Sequence, residues 1–140
     1  MRPLDQIESR IDEIADGGVI GPTEAADELM QLGEQVLEHW IVGRFEQPTM
    51  ATREGFRLLA LHRQGARGEP SFNACRETCR ELAYHYNLVQ ADPQAAEVRQ
   101  RVRMAGLIAK HLCLFVSGKM QVEGLGTFCC SSRPLRAGGK

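Results

Sequence analysis

Two cysteines spaced four residues apart are the pair in this sequence best placed to do chemistry. Cys75 and Cys79 fall in a segment of helical periodicity, so their sulfurs lie on one helix face about 6 Å apart along the axis. Thiolates at this spacing can share a metal ion with ligands from a neighbouring helix, or be oxidised together. Cys113 and His62 are expected at the same end of a helical bundle. The four residues are therefore a candidate ligand set for a thiolate-bound metal or an iron–sulfur cluster.

Burial in a core is the alternative for the same two thiols, and the pattern favours it. They belong to a regular apolar stripe made of Phe72, Cys75, Cys79, Leu82, Ala83 and Tyr86. Free cysteine is among the most buried residue types and packs there as a small hydrophobe with a raised pKa. Structural zinc sites prefer tighter cysteine pairs at turns. We therefore expect no bound cofactor, with the metal or cluster as the alternative.

A second pair of cysteines lies close to the C-terminal end of the sequence. Cys129 and Cys130 are adjacent, in a glycine-rich segment without periodicity. Adjacent cysteines bridge each other only in a strained ring, so they more readily offer a thiol to a metal, another chain or an oxidant. They are a candidate redox site, and two ordinary thiols in a tail are an equal alternative.

Everything periodic in the chain has a helical period, which predicts an all-α antiparallel bundle of about five helices. The bundle has four main helices and, in addition, a short N-terminal helix that packs across them. Residues 1–117 form the bundle, and residues 118–140 form a glycine-rich, cysteine-containing tail that we expect to be mobile. The predicted helices are Leu4–Asp16, Pro22 to Gly43, about Met50 to Gln64, Pro70 or Ser71 onward, and Asp92-Pro93 to about Ser117.

The fifth helix has a second apolar face in addition to its core stripe. Met104, Ile108 and Phe115 line it beside His111, and a helix that is apolar nearly all round is either central to its own domain or buried in a partner. We predict that this face contacts another copy of the chain. Tyr84, among charged residues on helix 4, is a second candidate interface anchor.

Length and composition are those of one ordinary globular domain. The chain has 140 residues, of which 43% are hydrophobic and 25% charged. No apolar run is long enough to cross a bilayer, and the first residues have no signal-peptide pattern. Five cysteines, an odd number without framework spacing, argue against a secreted disulfide scaffold. These features predict a cytoplasmic protein with free thiols and no membrane contact.

The net charge of −1 hides two halves of opposite charge. Residues 1–50 carry eleven acidic residues and three arginines, hence −8, and residues 51–140 carry fourteen basic and seven acidic residues, hence +7. We expect the acidic half to fold against the basic half; a head-to-tail contact between copies, or an acidic partner, is the alternative. Nucleic acid is not expected, because Arg99, Arg101 and Arg103 point in different directions.

Together these patterns predict a small helical accessory protein that binds another protein, including a second copy of itself. The alternative is a thiol-based metal-binding or redox module that uses Cys75, Cys79, Cys113 and the Cys129-Cys130 pair. An enzyme is the weakest of the three interpretations. No nucleophile, base and orienting group can be assembled from the sequence, and no catalytic residue is assigned.

Overall fold

The computed structural model describes residues 2–17 and 20–125, and these form five α-helices. Across these residues there is no β-strand, so the all-α prediction with five helices is confirmed. Cys129 and Cys130 lie outside the described residues. A 3-10 segment, Pro70–Cys75, leads directly into the fourth helix. The helices are α1 (Leu4–Asp16), α2 (Pro22–Gly43), α3 (Arg57–Ala66), α4 (Arg76–Ala91) and α5 (Val98–Glu123).

Helices α2 and α5 form the centre of the bundle and run in the same direction. A Cβ atom on Gly33 would touch Leu112, and one on Gly43 would touch Met120. Residue numbers therefore increase in the same direction along both helices, which makes the pair parallel. This is the relation between diagonal helices in an up-down-up-down bundle. The two helices bury continuous apolar stripes against each other.

Helices α1 and α4 lie on either side of this central pair and run antiparallel to α5. Lys110 reaches Asp12 of α1, and farther along, Gly106 packs on Ala15. On the other side, the 3-10 segment before α4 packs near the C-terminal half of α5, where Phe72 lies 6.0 Å from Phe115. The shortest helix is α3, with 10 residues, so the short extra element is α3 rather than α1.

Helix α3 begins later than predicted. The sequence pattern places its start near Met50, but it begins at Arg57. The preceding segment is held by side chains instead: Thr49 N–H donates to Oε1 of Gln64 at 2.9 Å, and Nε2 of Gln64 donates to the Gln47 carbonyl at 2.8 Å. In a helix starting at Met50, Arg53 N–H would donate to the Thr49 carbonyl. Instead, Arg53 N–H donates to the Phe56 carbonyl at 2.9 Å, and Nε of Arg57 donates to the Thr49 carbonyl at 2.8 Å.

Helix α5 also differs from prediction at both ends. Asp92-Pro93 is not its N-cap, because the chain makes further turns there and the helix starts at Val98. It continues beyond Ser117 to Glu123, where Gly124 takes the left-handed conformation with φ of 69°. At 26 residues α5 is the longest helix, yet none of the described helices is long and apolar enough to cross a membrane.

The acidic and basic halves of the chain pair with each other inside one molecule. Arg57 lies 2.7 Å from Glu38 and 3.5 Å from Glu34, and Lys110 lies 3.0 Å from Asp12. These ion pairs join residues of the acidic first half to residues of the basic second half. At these positions the opposite charges of the two halves therefore form ion pairs within the fold.

An aromatic stack joins α2 to the 3-10 segment. Trp40 and Phe72 lie parallel with ring centroids 4.6 Å apart, and both side chains are fully buried. Nε1 of Trp40 donates to the carbonyl of Gly65 at 2.9 Å, which ties α3 to the same cluster. The stack thereby sets the position of Cys75, three residues after Phe72.

Candidate functional site

The two helix cysteines meet where the 3-10 segment passes into α4. Cys75 ends the 3-10 segment and Cys79 lies in the first turn of α4, and their exposed fractions are 1% and 0%. The Cys75 thiol donates to the Phe72 carbonyl, with Sγ 3.3 Å from the oxygen. His62, also buried, has Nε2 3.2 Å from the same carbonyl. Three polarisable side chains are thus packed together behind the aromatic stack.

Hydrogen bonding within this cluster shifts the pKa values of the two thiols in opposite directions. A hydrogen bond from the Cys79 thiol lowers the pKa of Cys75 to about 6, outweighing burial, and His62 adds to this effect. The same hydrogen bond, together with burial, raises the pKa of Cys79 well above its usual range. Burial raises the pKa of Cys113 to about 11. The expectation that burial raises the pKa of both helix thiols thus agrees with the direction for Cys79 and not with that for Cys75.

The predicted four-residue ligand set is not assembled in the structure. Cys113 faces α1, with Sγ 3.7 Å from the Leu4 carbonyl oxygen, whereas Cys75, Cys79 and His62 lie at the junction of α3 and α4. Within residues 2–17 and 20–125, no group of three or more His, Cys, Asp or Glu side chains is arranged to hold a metal ion. The Cys75–Cys79 pair by itself offers two neighbouring sulfurs, both buried.

The predicted interface residues of α5 divide between the core and the surface. Ile108 is 8% exposed and belongs to the core, and Phe115 packs on Phe72. Ile108 therefore faces the bundle, whereas Phe115 is half-buried. Met104 and His111 are exposed, as is Tyr84 on α4.

The exposed face of α5 carries an apolar row. Met104, Leu107 and Leu114 are 45%, 62% and 50% exposed, and His111 lies between the two leucines. We call these four residues the α5 stripe. Their spacing of three, four and three residues is that of a helix that packs on another helix, and the stripe is about 15 Å long.

A basic pocket between α3 and the start of α4 was missed by the sequence interpretation. It has a volume of about 480 Å³. The missed signal was a pair of arginines spaced by four residues on each of two consecutive helical segments, Arg63 with Arg67 and Arg76 with Arg80. The arginines of its lining are Arg53, Arg63, Arg67, Arg76 and Arg80.

The buried thiol pair, the α5 stripe and the basic pocket are therefore the three features that bear on function. The chain matches no protein-family model, and no curated protein or solved structure is significantly similar to it.

Proposed function

We propose that this chain is a helical interaction protein that acts by binding, and that the α5 stripe packs against the same stripe of a second copy. The observation that carries the proposal is the row of apolar side chains left exposed at helix-packing spacing on the longest helix. Protein surfaces normally scatter such residues singly, and an aligned row is typical of a contact surface.

The stripe is suited to its own copy because it is symmetric along the helix. In an antiparallel pair of helices, Met104 would face Leu114 of the partner subunit, and Leu107 would face His111 of the partner subunit. Because the pair is two-fold symmetric, each side chain of the stripe then faces one side chain of the partner subunit's stripe. The flanking cation Lys110 is held by Asp12 on α1, at 3.0 Å, which reduces its repulsion of an identical helix.

The exposed area indicates a weak, reversible contact. Burying a large apolar side chain fully is worth about 1.5–3 kcal/mol, so each of the three half-exposed residues contributes about 1 kcal/mol. Six such side chains give about 6 kcal/mol for the pair, against an association cost of about 4–15 kcal/mol. The stripe by itself therefore leaves at most about 2 kcal/mol in favour of association, so a dissociation constant of about 1 mM or below requires further contacts beside the stripe.

Analytical ultracentrifugation over a range of concentrations tests this function. We expect the wild-type chain to show concentration-dependent dimerisation and Leu107→Glu to remain folded and monomeric. Phe45→Glu is the control: Phe45 is 95% exposed on the segment after α2, so this variant also replaces a large exposed apolar side chain by a carboxylate, but outside the stripe. A wild-type chain that stays monomeric up to about 1 mM would refute the proposal. Dissociation by Phe45→Glu but not by Leu107→Glu would place the contact elsewhere.

Ile108→Glu is not a test of this contact. Because Ile108 is a core residue, a buried carboxylate there would destabilise the fold itself. The neighbouring pair Leu107 and Ile108 therefore separates the two effects: a charge at the first should change association, and a charge at the second should change stability.

A further inference from the structure

We infer that the basic pocket between α3 and α4 binds a small ligand that carries a phosphoryl group or an equivalent multivalent oxyanion. This inference is independent of the α5 stripe. It rests on how five guanidinium groups are placed around one cavity, how few carboxylates neutralise them, and the size of the space that they enclose.

The pocket owes its arginines to the way in which α3 and α4 meet. Arg63 lies in the last turn of α3 and Arg67 directly follows the helix, and Arg76 and Arg80 lie one turn apart at the start of α4. The short connection between the helices brings the two pairs to one cavity. Arg53, from the segment before α3, completes the ring.

The positive charge in this ring is only partly neutralised. Glu54 lies 2.7 Å from Arg80 and 3.9 Å from Arg53, and Glu77 lies 3.7 Å from Arg76. Five guanidiniums and two carboxylates leave a formal charge of +3. In the part of the chain that the structure describes, the side chains of Arg63 and Arg67 have no carboxylate partner. Like charges gathered in this way favour a ligand that brings more than one negative charge.

Guanidinium chemistry and pocket size specify the class of ligand. Arginine presents paired N–H donors that match the oxygens of a phosphoryl group, and a carboxylate would neutralise only one of the three excess charges. A volume of about 480 Å³ is within the range of small-molecule sites. A neighbouring cavity of about 230 Å³ shares Arg53, Arg63 and Arg67, so the basic surface continues beyond the pocket.

The lining also supplies groups that can orient such a ligand. Leu59 and Ala66 give the pocket an apolar side, and His62 and Asn73 add polar atoms. His62 links the pocket to the buried thiols, because it lies beside Cys75. An anion held by the arginines would therefore lie near His62, at the edge of the core.

Isothermal titration calorimetry with inorganic pyrophosphate tests the inference, with acetate at matched ionic strength as the monovalent comparison. We expect saturable one-to-one binding of pyrophosphate that weakens as salt is added. Arg63→Gln combined with Arg67→Gln should weaken binding at least about tenfold, because each lost charged hydrogen bond is worth about a factor of ten. Both side chains are exposed and unpaired, so the variant should keep the wild-type circular dichroism spectrum.

Arg99→Gln combined with Arg103→Gln is the matched control, since it removes the same number of charges from exposed positions on α5 outside the pocket. It should leave pyrophosphate affinity within about twofold of wild type. Absence of saturable binding, or equal weakening by the control and the pocket variant, would overturn the inference. Much tighter binding of a single-stranded oligonucleotide, lost in the same pocket variant, would also overturn it and assign the arginines to nucleic acid.

Discussion

Replacing Gly65 by alanine should destabilise the protein even though alanine is the better helix former. Gly65 lies in the last turn of α3, and a Cβ atom there would be 2.8 Å from Cδ1 of Trp40 and 2.9 Å from Cε2 of Phe72. Both atoms belong to the buried stack, whose rings are rigid and cannot turn aside like a flexible side chain. The helices must therefore move apart, or the stack must slip.

The contacts allow the size of this effect to be worked out. Alanine gains at most about 1 kcal/mol of helix propensity over glycine. Overpacking costs about 1–3 kcal/mol, and weakening the 2.9 Å bond from Trp40 to the Gly65 carbonyl adds about 1 kcal/mol. We therefore expect the free energy of unfolding to fall by about 2 kcal/mol. Urea denaturation followed by the fluorescence of Trp40, the single tryptophan, reports both stability and the state of the stack.

Gly118→Ala is the matched control for this prediction. Gly118 is in α5, and a Cβ atom there would meet nothing within 4 Å, so only the propensity gain remains. This variant should be more stable than wild type by up to about 1 kcal/mol. If Gly65→Ala is as stable as wild type or more so, the close approach of α3 to the aromatic stack is wrong.

Two further predictions concern pH dependence and thiol access. Arg10 donates a hydrogen bond at 2.8 Å to Glu28 and lowers the pKa of that carboxyl, so the stabilisation is present above the ordinary glutamate pKa and lost as pH falls through the lowered value. Glu28→Gln should therefore cost up to about 1 kcal/mol at neutral pH and almost nothing at roughly pH 2, as measured by urea denaturation; an equal cost at both pH values would contradict this assignment. Cys75 and Cys79 should react with iodoacetamide only on unfolding, as followed by peptide mass spectrometry, because both are buried. Rapid labelling of Cys75 in the native protein would instead show that this thiol is accessible as well as acidic, and would favour the redox interpretation.

Local patterns were enough to place much of the helical architecture. The bounds of α1 agree with prediction, as do those of α2, which begins at Pro22 and ends at Gly43. Amphipathic periodicity, a first-turn proline and a terminal glycine are local signals, so they can be read without knowing the rest of the fold. The core stripe that contains Cys75 and Cys79 follows from the same periodicity, and both residues are buried as expected.

Predictions were wrong where distant residues compete with local ones. The segment after Met50 is not helical, because the side chain of Arg57 occupies the Thr49 carbonyl and Arg53 N–H donates to the Phe56 carbonyl, which a local pattern cannot reveal. The lowered pKa of Cys75 has a local cause first, the hydrogen bond from Cys79 four residues along the chain, to which His62 of α3 adds. The burial of the two thiols was predictable from sequence, whereas the direction of the hydrogen bond between them was not.

The sequence by itself determined that α5 is apolar on more than one side, and only the tertiary structure decided which side faces solvent. Leu107 and Ile108 are neighbours of similar hydrophobicity, yet one is 62% exposed and the other 8%. The difference arises because α1, α2 and α4 surround only part of the helix, and their positions depend on the whole bundle. The basic pocket has the same origin, since two arginine pairs become one site only when α3 and α4 meet.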